Sequence, residues 1–546
     1  MAKAKVTREY PRQITLSLHG PGMSPLHRAG LGGLACSLQY IQQEYGRAIQ
    51  PQDAPGGPWP AADCPPWRVE PAQVTLSWGE PTSAREFLRR LFAISLDLRD
   101  GLIYLPGQYG RLPPPLEVRA KLQQGLTLTF LQHGRVRKLA AQASVFTYDP
   151  ESDGVASATI EYRACTGYTY QEGWTDLTDG KGNLRLEPIE VAGPLSPGAV
   201  VRHNAFPADT KIEELPQTLL PLYFACIGCL ALPAGSSRGA LVVPEVEDLL
   251  NFAAIRNLLT PRHIRECCVS SAGDAALQAQ IRLRALGTAA VLRASGCYAA
   301  TFAATQWASQ QKSRVQSCHV PAVEDRQLDL FAAALQLLPP RLAKRKDKGK
   351  SKGKNAKASS KPADYFWADS IVRPLVAENL AQGRPWYAGF GDLMTAKDPS
   401  NNKPLRDRVS YERKGLHAMT AEIPWEHRGE AILVQAVHEA MRCRKGAIAA
   451  ENQGNLAAMR KRWERDDERL RLGLVGAKTA DQCRQALCGL FGRAGTNKAL
   501  QQGWQQLLSM LSDQRWQLAR DLSLLAMASY QGSGNDHADQ DPTNNQ

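Results

Sequence analysis

Residues 14–45 read ITLSLHGPGMSPLHRAGLGGLACSLQYIQQEY, and this stretch sets the pattern for the first part of the chain. Apolar and polar residues alternate over residues 14–18, which predicts a half-buried strand. The Gly-Pro-Gly at residues 20–22 breaks that strand. Ser24 is a good helix N-cap and Pro25 suits the first helical position, so we expect a helix to begin there.

Three glycines, Gly30, Gly32 and Gly33, lie inside this predicted helix, and each costs roughly 1 kcal/mol relative to alanine. Either a nucleic-acid phosphate or a closely approaching backbone would offset that cost. The spacing does not match the phosphate-binding pattern GxxxxGK[ST]. The glycines also lie within the predicted helix and not before it. We therefore favour a first helix packed tightly on a sheet, with His27 and Arg28 anchoring its first turn.

A chain of 546 residues is too long for one compact core, so two to four domains are expected. The hydrophobic fraction of 43% is sufficient for globular folding, and no apolar run reaches the length of a membrane span. The basic N-terminus is not followed by an apolar segment, so we predict no signal peptide. Twelve cysteines without a disulfide-like framework suit a reducing compartment, and we expect a cytoplasmic protein without a membrane partner.

The net charge of +13 is concentrated in one segment. Residues 341–361 contain ten lysines or arginines and one acid, Asp347, so they carry nine of those charges. Like charges repel and nothing apolar can be buried here, which predicts a disordered linker that binds a polyanion. The candidate DNA contacts in this segment are Lys344, Arg345, Lys346, Lys348, Lys350, Lys352 and Lys354.

A second basic cluster falls in residues 126–148, which are predicted to form two strands around residues 133–134. Arg135, Arg137 and Lys138 follow that turn, and strand alternation would put the two arginines on one face. The cluster is either a solvated edge strand, where positive charge prevents sheet pairing, or a basic hairpin laid on a phosphate backbone. Both interpretations stay open.

Residues 301–319 read TFAATQWASQQKSRVQSCH and alternate aromatic residues with amides and cations. Gln311, Lys312 and Arg314 are candidate DNA contacts, because amides and cationic side chains read base edges and phosphates. The alternative is an ordinary strand with a wet edge. Asn204 follows a strand-like GAVVR and is a further candidate, although His–Asn pairs at strand ends are usually structural.

The helical pattern changes along the chain, which predicts an α+β multidomain protein. Residues 1–340 form a mixed α/β region, residues 341–362 the basic linker and residues 363–428 a helical or irregular connector. Apolar stripes at helical spacing predict a compact five-helix bundle over residues 429–530. Residues 531–546 are expected to form a disordered tail.

Catalytic signatures are missing from the sequence. Cys226 and Cys229 form one CxxC without a second pair, so buried free thiols are preferred over a zinc site. The acidic run ERDDER at residues 464–469 is better explained by ion pairs on a helix surface than by a carboxylate active site. We assign no catalytic residue, no metal ligand and no cofactor, although a non-local active site is possible in principle.

Four segments carry a family resemblance. Residues 21–38 (PGMSPLHRAGLGGLACSL) resemble the opening of the large subunit of type I CRISPR Cascade complexes, in the Myxan-type branch that is also found in type I-B systems. Three later segments resemble the same family in the same order, residues 196–206 (SPGAVVRHNAF), 241–256 (LVVPEVEDLLNFAAIR) and 383–393 (GRPWYAGFGDL).

The resemblance implies a non-catalytic subunit of a crRNA-guided DNA-targeting complex. Such subunits contact the 5′ end of the crRNA, recognise the protospacer-adjacent motif in duplex DNA and promote R-loop formation, while guide pairing reads the target. The implied partners are crRNA, target double-stranded DNA, and the Cascade backbone and crRNA-capping subunits. A helicase-nuclease would follow in antiviral defence, and a transposition adaptor in a CRISPR-associated Tn7-like transposon.

The resemblance further implies that the C-terminal bundle is similar to a small subunit, which internal translation would also produce as a separate protein. Met419 is the preferred start and Met394 the second choice, because Met441 and Met459 would remove residues of the bundle's apolar stripes. Two other function classes stay open. They are a nucleic-acid-cleaving enzyme with a non-local active site and a plain RNA-binding scaffold.

Overall fold

The computed structural model describes residues 10–45, 66–79, 83–132, 134–151, 155, 157–197, 212–235, 237–285, 296–305, 308–344, 365–398, 402–452 and 455–532. For residues 45, 285, 304, 305, 308–314 and 344 it describes the backbone alone.

The chain divides into two compact units whose sequences interleave. The first unit comprises Met1–Glu324 and Pro340–Asp369, and the second comprises Asp325–Pro339 and Ser370–Gln546. Strands and helices mix in the first unit, whereas the second is built from helices. The predicted α+β class, with a mixed α/β N-terminal region and a helical C-terminal region, is confirmed.

The strands all belong to the first unit. They are β1 (Gln13–Ser17), β2 (Trp67–Glu70), β3 (Gln73–Ser77), β4 (Asp97–Arg99), β5 (Leu102–Tyr104), β6 (Arg137–Tyr148), β7 (Ala158–Tyr168), β8 (Ile189–Glu190), β9 (Glu213–Glu214), β10 (Leu230–Ala234), β11 (Arg238–Pro244), β12 (Cys297–Thr305), β13 (Ala308–Val320), β14 (Arg341–Lys344) and β15 (Tyr365–Ala368). Two larger antiparallel sheets have the orders β1-β3-β2 and β10-β11-β12-β13. The other strands pair as the ribbons β4-β5, β6-β7, β8-β9 and β14-β15.

The helices of the first unit pack against the sheets and against one another. They are α1 (Pro25–Tyr45), α2 (Ala84–Ser95), α3 (Pro106–Tyr109), α4 (Leu116–Leu128), α5 (Trp174–Leu177), α6 (Pro216–Gly228), α7 (Leu249–Ile255) and α8 (Ala272–Ala285). The opening strand and helix follow the sequence prediction, since α1 begins at Pro25 and the backbone amide of Arg28 donates to the Ser24 carbonyl at 3.0 Å.

The glycines of α1 let two helix backbones touch. A Cβ atom at Gly30 would lie 2.1 Å from the Pro221 carbonyl oxygen, and one at Gly33 would lie 2.3 Å from the Phe224 carbonyl oxygen. Both carbonyls belong to α6. Close packing is therefore the correct explanation for these glycines, but the surface they contact is a helix and not a sheet.

The predicted first strand of the 126–148 hairpin is wrong, because α4 extends to Leu128. Val118, Leu122 and Leu126 recur at helical spacing and are all buried. A Cβ atom at Gly125 would lie 2.3 Å from the Ala231 carbonyl oxygen, so α4 lies directly on β10. This tertiary contact outweighs the local alternation of leucine and threonine.

The second unit consists of α9 (Asp325–Leu337), α10 (Arg373–Ala381), α11 (Phe390–Thr395), α12 (Arg406–Val409), α13 (Arg413–Glu422), α14 (Arg428–Glu451), α15 (Leu456–Val475), α16 (Ala480–Ala494), α17 (Lys498–Met510) and α18 (Trp516–Ser529). Helices α14–α18 form its bundle, and Leu433 and Val437 of α14 are fully buried there.

Buried hydrogen bonds tie the shorter helices to this bundle. The Asp521 carboxylate of α18 accepts from the amides of Gly389 at 2.6 Å and Gly391 at 3.1 Å. The Tyr387 hydroxyl donates to Glu430 of α14 at 2.8 Å. Since Asp521 is only 3% exposed and Glu430 only 2%, these donors offset the cost of burying two carboxylates.

Candidate nucleic-acid interface

The first basic cluster lies where the chain leaves α4 and enters β6. A 3-10 turn spans Gly134–Val136, and β6 begins at Arg137. Arg135 and Lys138 are exposed, whereas Arg137 is half-buried and donates to the Thr127 carbonyl at 3.2 Å. Burial lowers the pKa of Arg137. Two of the three predicted cations are therefore available to a polyanion, and the third fastens the end of α4 to β6.

The β6-β7 ribbon carries this cluster on an open edge. Its pairing is irregular between Lys138 and Ala143, which separates the basic end from the regular ladder. Residues 141–145 of β6 are all exposed, and Arg163 on β7, opposite Ala143, is exposed as well. Positive residues at an open strand edge both prevent sheet extension and offer charge to a phosphate backbone, so the two interpretations of this cluster are compatible.

The second predicted cluster is on a different sheet. Gln311, Lys312 and Arg314 belong to β13, the edge strand next to β12. The backbone pairs Lys312 with Ala304 and Arg314 with Phe302, and the register shifts between Thr301 and Phe302. A single hairpin therefore carries all three residues close to its tip, while Trp307 and Gln306 lie outside the described residues.

The charged segment is bounded by a closed hairpin. Strands β14 and β15 pair antiparallel, and Lys344 is the partner of Tyr365. Residues 345–364, which include Arg345, Lys346, Lys348, Lys350, Lys352 and Lys354, lie outside the described residues, as does Asn204. The chain therefore leaves and re-enters the first unit at neighbouring points, so the charged segment is a loop attached to that unit.

A polar and aromatic cluster that sequence analysis missed fastens this hairpin to the ribbon. The Trp367 indole N–H donates to the Tyr148 hydroxyl at 2.9 Å, at the far end of β6. The Arg265 guanidinium lies 5.2 Å from the centre of the Trp367 ring and donates to the Glu151 carbonyl at 2.6 Å. Burial raises the pKa of Tyr148 to about 12, so its hydroxyl stays protonated. Only the contact across more than 200 residues reveals this cluster, and no local pattern signals it.

These contacts determine which predicted residues come together. The loop base is at the Tyr148 end of β6, and Arg135 with Lys138 is at the opposite end. A regular strand of 12 residues spans at most roughly 35–40 Å, which is the upper limit for the length of β6 between Arg137 and the Tyr148 end where the loop base lies.

The acidic run on α15 forms ion pairs, as predicted. Arg444 pairs with Asp466 at 2.7 Å, Lys445 pairs with Asp467 at 3.2 Å, and Arg471 pairs with Glu468 at 2.6 Å. The hydrogen bond from Arg471 lowers the pKa of Glu468 to about 2, and burial raises the pKa of Asp467.

The thiols also match their predicted role. Cys226 and Cys229 are buried and free, and burial raises the pKa of Cys226 to about 12. Among the described residues, no group of three or more His, Cys, Asp or Glu side chains is arranged to hold a metal ion. In the same ranges, no helix has the length and apolarity needed to cross a bilayer.

Comparisons with known proteins give matches at both ends of the chain. Residues 15–223 match the family model described as the DevT N-terminal domain, and residues 421–546 match the one described as the DevT C-terminal domain. The CRISPR-associated protein Cas8a1/Csx13 of Myxococcus xanthus (strain DK1622) is 36% identical over 562 residues, which cover 99% of this chain and 92% of that protein. The chain therefore belongs to the Cas8a1/Csx13 family of CRISPR-associated proteins.

Proposed function

We propose that this protein is the large subunit of a type I Cascade complex. In that complex it recognises the protospacer-adjacent motif in duplex DNA, promotes R-loop formation and cleaves neither strand. Membership of the Cas8a1/Csx13 family supports a place in a Cascade complex. One structural observation supports the proposed DNA binding. The Lys344–Tyr365 pairing attaches a loop with eight lysines and arginines to the first unit, beside one end of the β6-β7 ribbon.

The mechanism follows from how charge is distributed. A dense run of positive charge contacts phosphates without sequence preference and raises the local concentration of DNA. Sequence choice then needs side chains at base edges, for which the β12-β13 hairpin and Arg135 with Lys138 are the proposed contacts. Guide pairing reads the rest of the target, so the protein itself needs to recognise only a short duplex motif.

The test is to assemble the chain with crRNA and its partner subunits and to measure binding to guide-matched duplexes that differ only in the flanking motif. We expect tight binding for a small subset of motifs, with permanganate-reactive thymines in the displaced strand of those duplexes. Equal affinity for every flanking sequence would point to an RNA-binding scaffold. Cleavage of DNA by the purified chain with Mg²⁺ or Mn²⁺ would overturn the non-catalytic role.

We further propose that a separate small subunit is translated from Met419 and binds the displaced strand as additional copies of the bundle. The match to the DevT C-terminal domain begins at residue 421, just after this methionine, which supports the choice. Such a product retains α14–α18 in full. A start at Met394 would retain α12 and α13 as well. In both products Asp521 loses the amides of Gly389 and Gly391.

The same complex serves either interference or RNA-guided transposition. A helicase-nuclease is the expected partner in the first case and a transposition adaptor in the second. Affinity purification of the DNA-bound complex distinguishes them by which of the two proteins is retained.

A further inference from the structure

A cavity in the first unit is lined by side-chain amides, unlike the basic clusters that are proposed to bind DNA. It has a volume of about 610 Å³ and opens between the C-terminal half of α1, the segment that follows α3, and the end of α7. This volume falls within the range of about 300–1,000 Å³ that is typical of small-ligand sites.

Three side-chain amides line the cavity, and none forms a hydrogen bond to another described residue. Gln39 and Gln43 lie one turn apart on α1, and Asn257 lies in the 3-10 turn Arg256–Leu259. An amide offers an acceptor oxygen and two donor hydrogens. Groups of this kind, converging on one space, match the mixed donors and acceptors on the edge of a nucleobase.

An aromatic ring and a cation complete the lining. Tyr40 is adjacent to Gln39 on α1 and also lines the cavity, and aromatic side chains of this kind are the ones on which unstacked bases pack. Arg111 lies 3.4 Å from Glu44, and its side chain is still 51% exposed, so it can also contact a phosphate. A base, a stacking surface and a phosphate contact are the three requirements for holding one nucleotide of a single strand.

The cavity walls are held in place by the fold. Arg262 donates to the carbonyls of Tyr109, at 2.8 Å, and Leu112, and so fixes the segment that follows α3. A Cβ atom at Gly107 would lie 2.9 Å from the Ser37 hydroxyl, so α3 contacts α1 directly. Gly110 has a φ of +69°, and a Cβ atom there would lie 3.1 Å from the Asn257 amide nitrogen. The amides therefore occupy a formed site and need little reordering to bind.

We propose that this cavity binds an unstacked nucleobase of a single-stranded nucleic acid. Gln39, Gln43 and Asn257 contact its edge, Tyr40 packs on its face, and Arg111 pairs with its phosphate. The inference rests on the proposed function for the source of the strand, which is either the guide RNA or a separated DNA strand. Both sources offer the same base chemistry.

The test uses the full chain and fluorescently labelled 12-nucleotide RNA and DNA of the same sequence. We expect the double variant Gln39→Ala, Gln43→Ala to lose at least about five-fold in affinity for the single strand that the cavity binds, since a base contact is worth about 1–3 kcal/mol. The matched control is Gln42→Ala, an exposed glutamine of α1 outside the cavity, which should bind as the wild type does. The strand type that loses affinity identifies the source.

An oligonucleotide series with one abasic site moved along the strand separates base contacts from backbone contacts. The wild type should be most sensitive to one position, and the double variant should lose that sensitivity. Equal sensitivity at every position, or a variant that binds like the wild type, would overturn the nucleobase site. So would competition by free nucleotides at micromolar concentration, because this would make the cavity a small-ligand site.

The proposed function and this site can fail separately. If the assembled complex still selects its duplex motif while the double variant binds single strands normally, only the cavity assignment is wrong. If the wild-type complex selects no motif, the proposed function is wrong whatever the oligonucleotide series shows.

Discussion

Lys344 and Tyr365 are cross-strand partners in the β14-β15 hairpin, so the two ends of a strongly basic segment lie next to each other on the first unit. The charge of this segment is therefore carried by one unit, where Trp367 and Tyr148 fasten the hairpin to the β6-β7 ribbon.

The first prediction concerns the loop. Changing Lys346, Lys348, Lys350, Lys352 and Lys354 to glutamine should weaken binding to every duplex and should reduce the salt dependence of log K by about 0.9 for each lost phosphate contact. Titrations at several salt concentrations measure this slope. The five corresponding Lys→Arg changes keep the charge and should restore it. An unchanged slope in the glutamine variant would mean that the loop does not touch DNA.

The second prediction distinguishes base contacts from phosphate contacts. Alanine at Gln311, Lys312 or Arg314 should cost roughly 1–3 kcal/mol and relax motif choice if the residue reads a base, whereas Arg135→Ala with Lys138→Ala should weaken binding equally for all motifs. Binding to a randomised motif library measures both effects. Arg68→Ala is the control, because this side chain is 77% exposed on β2 and pairs with Glu70. Neither assignment survives if both sets bind the library as the control does.

The third prediction concerns Arg137, which is not expected to act with its neighbours. Because its guanidinium is half-buried and donates to Thr127, Arg137→Ala should lower thermal stability by an amount typical of a lost hydrogen bond to a charged group, roughly 1.5–3 kcal/mol. Arg135→Ala should leave stability unchanged. Thermal denaturation followed by circular dichroism compares the two. Equal stability of both variants would mean that Arg137, like Arg135, is available to bind a polyanion.

The fourth prediction concerns the small subunit. Met419 is completely buried, and Met419→Leu preserves its volume at a cost below about 1.5 kcal/mol, so the full chain should still fold. The substitution should abolish a short product detected through a C-terminal tag, whose N-terminus is then sequenced. Met441→Leu is the control and should leave that product in place. If Met394→Leu abolishes the short product instead, translation starts at residue 394. If the wild type gives no short product, the proposal is wrong.

The fifth prediction concerns pH. Burial lowers the pKa of His438 to about 4, and its Nε2 lies 2.9 Å from the Ala526 carbonyl, to which the neutral ring can donate. The His417 and Tyr530 rings face it at 6.0 and 5.9 Å. Because the unfolded chain takes up this proton near pH 6.5 and the folded chain does not, stability should fall as the pH drops from about 6.5 to 4.

The expected loss is on the order of 2 kcal/mol, since the ring is only part-buried. Thermal denaturation at a series of pH values measures it, and His438→Gln, which keeps a donor without the titration, should flatten this part of the curve. A variant with the same pH profile as the wild type would assign the acid sensitivity to other groups.

Local signals predicted the parts of the fold that local chemistry determines. Alternation over residues 14–18 predicted β1, and Ser24 with Pro25 predicted the start of α1. Where the sequence prediction was wrong, long-range packing was the reason. Residues 126–131 alternate as a strand does, yet Gly125 places α4 on β10, and no sequence window contains both elements.

The candidate site divides in the same way. Charge density alone made Lys344 and its neighbours candidates for DNA binding, because a net positive run needs no tertiary context. Trp367, Arg265 and Tyr148 were missed, because each is unremarkable in its own sequence neighbourhood and gains its role only through contact. The amides that line the cavity were missed for the same reason.

The interleaved order of the two units has a consequence for synthesis on the ribosome. Helix α9 belongs to the second unit but precedes β14 and β15, which belong to the first. A Cβ atom at Gly415 of α13 would lie 1.9 Å from the Leu337 carbonyl oxygen, so α9 acquires this neighbour only after some 80 further residues have been added. The β14-β15 hairpin of the first unit is therefore synthesised before α9 can contact α13 in the second unit. The two units therefore mature in overlapping stages, and no single peptide-bond cleavage separates them intact.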